Sequence, residues 1–175
     1  YGTWQYHFKR GSNISLCYWG ISPIELVVTH MRNEYLYDLY RIAFLSVKQK
    51  STNGVTNAAK PALVIAVINA IAAGEVKNNQ IRYQDIEERY IKTLEEWQPE
   101  KTPLKYPFYH MESDGFWHLK WKGEQPTKKF SLSAKFLRES IEFAYLDNAL
   151  WDLLQEDEAR MGYIEAITKY FKNAK

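Results

Sequence analysis

The most apolar segment of the chain reads Lys60-Pro-Ala-Leu-Val-Ile-Ala-Val-Ile-Asn-Ala-Ile71, and most of its residues are aliphatic. Pro61 suits the first turn of a helix, where its missing N–H has no hydrogen bond to lose. Gly74 follows the segment and suits the left-handed conformation that commonly ends a helix. Because the segment is apolar on all sides rather than along one stripe, it predicts a helix that is buried on most faces.

Helical periodicity continues on both sides of this core segment. Apolar residues recur at steps of three and four over residues 24–47, with Pro23 in the first turn and a break near Asn33 left open as an alternative. Downstream, Asp85 is predicted to cap a helix that ends near Trp97. The chain is therefore expected to place a helix before and a helix after the core segment.

Two aromatic-rich runs, residues 106–112 and 116–121, flank the turn-forming sequence Ser113-Asp-Gly115. Aromatic residues favour extended structure and the glycine-bearing turn favours antiparallel pairing, so the pattern predicts a β-hairpin. Helical periodicity then returns, with Ser133 and Asp147 as predicted caps. The predicted fold class is α+β: a mainly helical single domain with a small antiparallel β-hairpin or sheet.

Composition excludes several classes of protein. With 175 residues, 46% apolar and 25% charged, the chain has the size of about one domain and the composition of a folded globular protein. Its longest nearly apolar run, residues 62–73, is shorter than the roughly 20 residues that cross a bilayer, so no membrane span is expected. The single cysteine, Cys17, excludes an internal disulfide and a cysteine-based zinc site, and it favours a reducing cytoplasm.

The net charge of +2 is small, but the charges are unevenly distributed. Residues 101–138 carry eight basic and three acidic side chains, interleaved with aromatic residues. Cations neutralise phosphates and flat rings contact sugars and bases, so this composition is typical of a nucleic-acid surface. A solvated hairpin with ordinary surface lysines fits the same composition and stays open as the alternative. The basic residues of this segment are Lys101, Lys105, Lys120, Lys122, Lys128, Lys129, Lys135 and Arg138.

The sequence contains no recognisable pattern of catalytic or metal-ligating residues. Its four histidines, His7, His30, His110 and His118, are scattered and include no His-Glu-x-x-His pair. A glycine-rich phosphate loop and a Gly-x-Ser-x-Gly nucleophile signature are both missing. We therefore expect no catalytic residue, no bound metal and no cofactor in this sequence.

Three stretches together carry a family resemblance. They are the core segment 60–71, the sequence Asn79-x-Ile81, and the run Tyr106-Pro-Phe-x-His110-x-x-Ser-Asp-Gly-Phe-Trp-His-Leu119. The chain resembles the N-terminal region of predicted HNH restriction endonucleases, a region related to the sulfur-binding domain that reads phosphorothioate-modified DNA. The resemblance covers residues 34 to 172 and includes the closing pattern Phe143-Ala-Tyr-Leu-Asp147. It divides the chain into an N-terminal extension of uncertain structure, residues 1–33, and a sulfur-binding-domain-like DNA-recognition domain, residues 34–175.

The resemblance implies a way of recognising DNA. A phosphorothioate carries sulfur in place of one non-bridging phosphate oxygen, and sulfur is larger, more polarizable and a poorer hydrogen-bond acceptor. In the family, a shallow apolar cup around a Tyr-Pro pair suits the sulfur, because an oxygen would have to shed its water there. The pair is matched here by Tyr106 and Pro107, with His110 on the wall of the cup.

Two positions depart from the pattern of the family's readers, which have a smaller residue at the wall and an arginine just before the core helix. This chain has His110 at the first position and Ala59 at the second, with Lys60 one step later. Trp117 is expected to pack beneath the hairpin as its anchor. The DNA-binding residues predicted from the resemblance and the basic composition are Lys60, Lys105, Tyr106, Pro107, Phe108, His110, Lys120, Lys122, Lys128 and Lys129.

The sequence thus predicts a DNA-binding specificity module of a restriction or defence system, with phosphorothioated duplex DNA as its partner. No histidine follows His118, so a His-Asn-His nuclease module is not among these residues. We expect DNA cleavage to come from a separate HNH domain or a partner subunit, and we expect the protein to be cytoplasmic and to have no membrane partner. The alternative is a protein-interaction or assembly domain that does not bind DNA, in which the aromatic hairpin is an interface.

Overall fold

A computed structural model of the chain describes residues 22–49, 51–52, 55–127 and 130–172. These residues form seven α-helices, one 3-10 turn and four strands. In chain order they are α1 (Pro23–Leu45), β1 (Ser51–Thr52), β2 (Val55–Thr56), α2 (Ala59–Ala72), α3 (Tyr83–Glu95), α4 (Lys105–His110), the 3-10 turn (Met111–Asp114), β3 (Trp117–Trp121), α5 (Ala134–Ser140), β4 (Ile141–Leu146), α6 (Asn148–Leu153) and α7 (Asp157–Lys172).

Helix α2 is the predicted core helix. Eleven of its residues are buried, and it packs against α3, α4 and α7. Pro61 lies in its first turn as predicted, and Gly74 follows its end with a φ of +70°. The Gly74 N–H donates to the carbonyl of Ile71 at 3.0 Å, which satisfies one of the carbonyls that a helix end leaves without a partner.

Helix α1 runs past Asn33 without the break that was left open. Ser22 begins it with a capping box, in which its hydroxyl accepts from the Glu25 N–H and the Glu25 carboxylate accepts from the Ser22 N–H. Only the C-terminal half of α1 enters the core, where Tyr40 and Phe44 are buried. The division of the chain at residues 33 and 34 stays a prediction.

The predicted hairpin is wrong, although the α+β class is confirmed. Residues 105–110 form helix α4 instead of a strand, and β3 pairs antiparallel with β4, from Trp117 opposite Leu146 to Trp121 opposite Ile141. Pro107 explains the difference, because it cannot donate to a strand partner but fits the first turn of a helix. Ile81 bridges the other edge of β4 through two hydrogen bonds of 2.8 Å with Ala144.

Of the predicted helix caps, one is confirmed and two differ. The Ser133 hydroxyl accepts from the Phe136 N–H at 3.0 Å at the start of α5, as predicted. Asp85 lies inside the first turn of α3, which begins after Arg82 without a side-chain cap. Asp147 does occupy the N-cap position of α6, but its carboxylate makes no capping hydrogen bond and faces other partners.

The close approach of α1 and α7 depends on a glycine. A Cβ atom added at Gly162 would clash with the hydroxyl oxygen of Tyr37, whose ring stacks on Tyr163 with 4.5 Å between centroids. We expect Gly162→Ala to lower the free energy of unfolding by about 2 kcal/mol, because overpacking forces the ring or the helix to shift. Tyr37→Phe removes the clashing oxygen, so urea unfolding should show that Gly162→Ala is better tolerated in the Tyr37→Phe background. An equal effect in both backgrounds would contradict this explanation.

Candidate nucleic-acid interface

Helix α4 presents the predicted cup residues on one face. Tyr106 and His110 are separated by four positions and Pro107 and His110 by three, which places all three side chains on the same side of a helix. Tyr106 is 45% exposed and His110 is exposed, whereas Pro107 is buried. The exposed imidazole therefore lies one helical turn from both the exposed Tyr106 ring and the buried pyrrolidine of Pro107.

Phe108 and Trp117 hold α4 in place from the core. The Phe108 side chain is fully buried and packs edge-on against Tyr83 and Trp117, with centroids 5.2 and 5.4 Å away. The indole N–H of Trp117 donates to the Phe108 carbonyl at 3.0 Å. Trp117 is thus a buried anchor as expected, but it anchors a helix instead of a hairpin. The Phe108 ring supports the interface from within and offers no surface to a ligand.

Lys60 reaches the same region from the first turn of α2. Its Nζ donates to Asp114 Oδ2 at 2.5 Å and to the His110 carbonyl at 3.2 Å. The side chains of this ion pair are only 11% and 4% exposed. Asp114 also accepts from the Lys48 N–H at 3.0 Å, and Lys48 Nζ donates to the Ser113 carbonyl at 3.1 Å. Asp114 therefore joins the start of α2 and the segment after α1 to the 3-10 turn that follows α4.

The electrostatics of this region favour an uncharged His110. Burial and the positive charge of Lys60 lower the pKa of His110 from its ordinary value. The imidazole is therefore neutral at pH 7 and can both donate and accept a hydrogen bond. Lys105 adds a cation beside Tyr106. Its Nζ lies 4.9 Å from the centroid of the Tyr106 ring and donates to the Leu132 carbonyl at 3.1 Å.

The predicted lysines beyond α4 form a separate group. Lys120 is exposed on β3, opposite Phe143 of β4. Lys122 follows β3, and its Nζ donates to the Arg138 carbonyl at 2.9 Å. Lys128 and Lys129 lie outside the described residues. The structure therefore brings Lys60, Lys105, Tyr106, Pro107 and His110 together around α4, and it places Lys120 and Lys122 on the sheet and just after it.

Sequence reasoning missed a partly buried hydrogen-bonded chain that joins β3, the end of β4 and α1. His118 Nε2 lies 2.6 Å from Asp147 Oδ1, and the Tyr40 hydroxyl donates to Asp147 Oδ2 at 3.0 Å. Burial, together with the hydrogen bond and charge of Asp147, raises the pKa of Tyr40 to about 12. No local pattern could have indicated the chain, because Tyr40 and Asp147 are separated by 107 positions.

Metal binding and membrane insertion gain no support from the described part of the chain. Its residues include no group of three or more His, Cys, Asp or Glu side chains placed to hold a metal ion. None of its helices combines the length and apolarity needed to cross a bilayer.

Comparisons with known proteins point to one family. Residues 38–175 match the profile described as "ScoMcrA-like, DNA sulfur-binding domain". Among solved structures, the sulfur-binding domain of SprMcrA complexed with phosphorothioated DNA is 20% identical, with a TM-score of 0.58 over 80% of this chain and 85% of the other. The sulfur-binding domain of ScoMcrA complexed with phosphorothioated DNA is 13% identical, with a TM-score of 0.58 over 75% of this chain and 86% of the other. No curated protein sequence matches the chain.

Proposed function

Because the chain belongs to the ScoMcrA-like DNA sulfur-binding domain family, we propose that it binds duplex DNA as the specificity module of a restriction system and reads phosphorothioate groups. The observation that carries the proposal is the face of α4, on which exposed His110 lies one helical turn from exposed Tyr106 and from buried Pro107. The matched region, residues 38–175, includes all of these residues.

The chemistry of this face suits sulfur better than oxygen. The ring of Tyr106 and the pyrrolidine of Pro107 are apolar and polarizable, and the neutral His110 brings no second positive charge. A phosphate oxygen placed against them would lose hydrogen bonds to water, whereas sulfur has fewer to lose. The preference for sulfur therefore arises from what the surface withholds from oxygen. Lys105 supplies the attraction to the backbone charge, whereas Asp114 compensates the charge of Lys60.

The test is the affinity for one duplex in three forms: unmodified, phosphorothioated in the natural stereochemistry, and base-methylated. We expect the phosphorothioated duplex to bind about tenfold more tightly than the other two, which corresponds to about 1.4 kcal/mol. Equal affinity for the three forms would contradict sulfur reading and leave general DNA binding. The absence of binding to any of them would favour the protein-interaction alternative.

The lysines should contribute affinity that does not depend on the modification. Each phosphate contact adds about 0.9 to the slope of log affinity against log salt, so Lys120→Ala should lower the slope by about one contact. A quadruple alanine variant at Lys120, Lys122, Lys128 and Lys129 should lower it further and leave the ratio between duplexes intact. Lys169→Ala is the matched control, because this exposed lysine lies on α7, away from the predicted residues. A quadruple variant that binds like the parent would place the basic surface elsewhere.

The proposal assigns recognition, and not cleavage, to these residues. An HNH nuclease domain or a partner subunit would supply hydrolysis, since the described residues hold no cluster suited to the metal that such chemistry uses. A cytoplasmic location, where restriction systems meet DNA, completes the proposal. Incubation of the isolated chain with phosphorothioated plasmid and Mg²⁺ or Mn²⁺ should leave the DNA intact.

A further inference from the structure

The N-terminal half of α1 carries an apolar face that the described fold leaves open. Ile24 is 75%, Val28 58%, Met31 63% and Tyr35 69% exposed. Val27 lies beside them and is also exposed, whereas Leu26 faces away from these four residues. A contiguous exposed apolar face of this kind marks an interaction surface.

The spacing of these residues is that of a two-stranded coiled coil. The steps from Ile24 to Val28, Met31 and Tyr35 are four, three and four, so the four residues occupy successive d, a, d and a positions of a heptad. They extend over about three helical turns, or about 16 Å. Such a seam packs against another helix with the same pattern, and a second copy of α1 supplies one.

The seam is complementary to itself in one antiparallel register. When Ile24 lies opposite Tyr35 of the partner subunit, Val28 lies opposite the partner's Met31, and the same pairs recur by two-fold symmetry. This register brings Glu25 beside Arg32 of the partner subunit at the flanking e positions, twice per dimer. Glu34 then faces the partner's Val27 and meets no like charge.

Charge argues against the other simple arrangements. An antiparallel register shifted by one heptad puts Arg32 beside Arg32 of the partner subunit and places Asp38 in the seam. A parallel pairing sets Glu34 against the partner's Leu39 and Arg32 against the partner's Val27, so neither charge gains a partner. Only the first register converts both Glu25 and Arg32 into interchain ion pairs.

We propose that two copies of the chain associate through antiparallel pairing of α1 over residues 24–35. The contact is short, so we expect the dimer to be weak and to dissociate on dilution. The dimer carries two α4 faces, which would let one particle engage two sites on DNA with increased avidity. The inference does not depend on the proposed function, because it is drawn from α1 alone.

The test is sedimentation equilibrium of the full chain between about 1 and 200 µM. A chain that pairs with its own copy shifts from monomer to dimer as its concentration rises. The mean mass should rise from one chain towards two. Met31→Asp should weaken the association at least tenfold, with an unchanged circular dichroism spectrum. Met161→Asp is the matched control, because Met161 is similarly exposed at 69% but lies on α7.

A charge exchange tests the register. Glu25→Arg and Arg32→Glu should each weaken the dimer, and the double variant should restore it, whereas Arg41→Glu, farther along α1, should have no such effect. A chain that stays monomeric throughout the range would overturn the proposal. Coverage of the face by residues 1–21 of the same molecule would give that result. A dimer that is insensitive to Met31→Asp, or one that the double exchange does not restore, would overturn it as well.

Discussion

Replacing Asp114 with asparagine is expected to lower the free energy of unfolding by about 3 kcal/mol, because the substitution leaves a nearly buried ammonium without its counter-charge. Lys60 Nζ and Asp114 Oδ2 are 2.5 Å apart, and both side chains are largely shielded from water. The amide oxygen of asparagine can still accept from the Lys48 N–H. The loss therefore reports mainly on the charge pair between α2 and the 3-10 turn.

The same substitution should strengthen binding to unmodified DNA. Lys60 Nζ lies beside the His110 carbonyl. Once asparagine replaces the Asp114 carboxylate, the positive charge of Lys60 is no longer compensated and can attract phosphate. Stability and affinity should thus change in opposite directions, which an effect on folding alone would not produce. Urea unfolding and DNA titration at a temperature where both proteins are folded provide the two measurements.

Asp38→Asn is the matched control for this prediction. Asp38 pairs with Arg41 at 3.1 Å, but both side chains are well exposed, so its loss should change stability by less than about 1 kcal/mol. Adding Lys60→Met to Asp114→Asn should recover part of the lost stability, because the unpaired charge is then absent. If Asp114→Asn were no more destabilising than Asp38→Asn, the ion pair would not be a structural element of the site.

The sequence predictions were accurate where the deciding signals lie close together in the sequence, and they were wrong where the deciding interaction joins distant residues. Helix α2 was predicted closely because its signal lies within one segment: an apolar run, Pro61 in the first turn and Gly74 beyond the end. The strand partner of β3 was not predicted. Strand β4 begins 20 positions after β3 ends, and residues 106–112 are as rich in aromatic residues as β4. Short apolar runs do not distinguish a strand from a buried helical turn, and here the proline decided.

The grouping of the candidate site residues stays a prediction, but the secondary structure that carries them differs from the one predicted. Tyr106, Pro107 and His110 were grouped by the family pattern, yet in a strand adjacent residues point to opposite faces. A helix places all three on one face, so α4 satisfies the grouping that the predicted hairpin could not. The contact between Lys60 and Asp114 could not be predicted, because it joins residues 54 positions apart.

Replacing Pro107 with aspartate is expected to abolish the preference for phosphorothioated over unmodified DNA. Pro107 is buried one helical turn from His110, so a carboxylate there repels the backbone and binds water where sulfur needs an apolar contact. An acidic residue is favourable in the first turn of a helix, but a carboxylate at this buried position should lower the stability of the protein. The quantity to measure is the ratio of the two dissociation constants, with circular dichroism as the check on folding.

Two further variants separate the local effect from general charge repulsion. Pro103→Asp adds the same charge at an exposed position just before α4, so it should weaken binding to both duplexes and preserve their ratio. Pro107→Ala keeps the position apolar and uncharged, so most of the preference should survive even if stability falls. A folded Pro107→Asp protein that still favoured the phosphorothioated duplex about tenfold would mean that sulfur is read elsewhere. The face of α4 would then contribute only contacts to the DNA backbone.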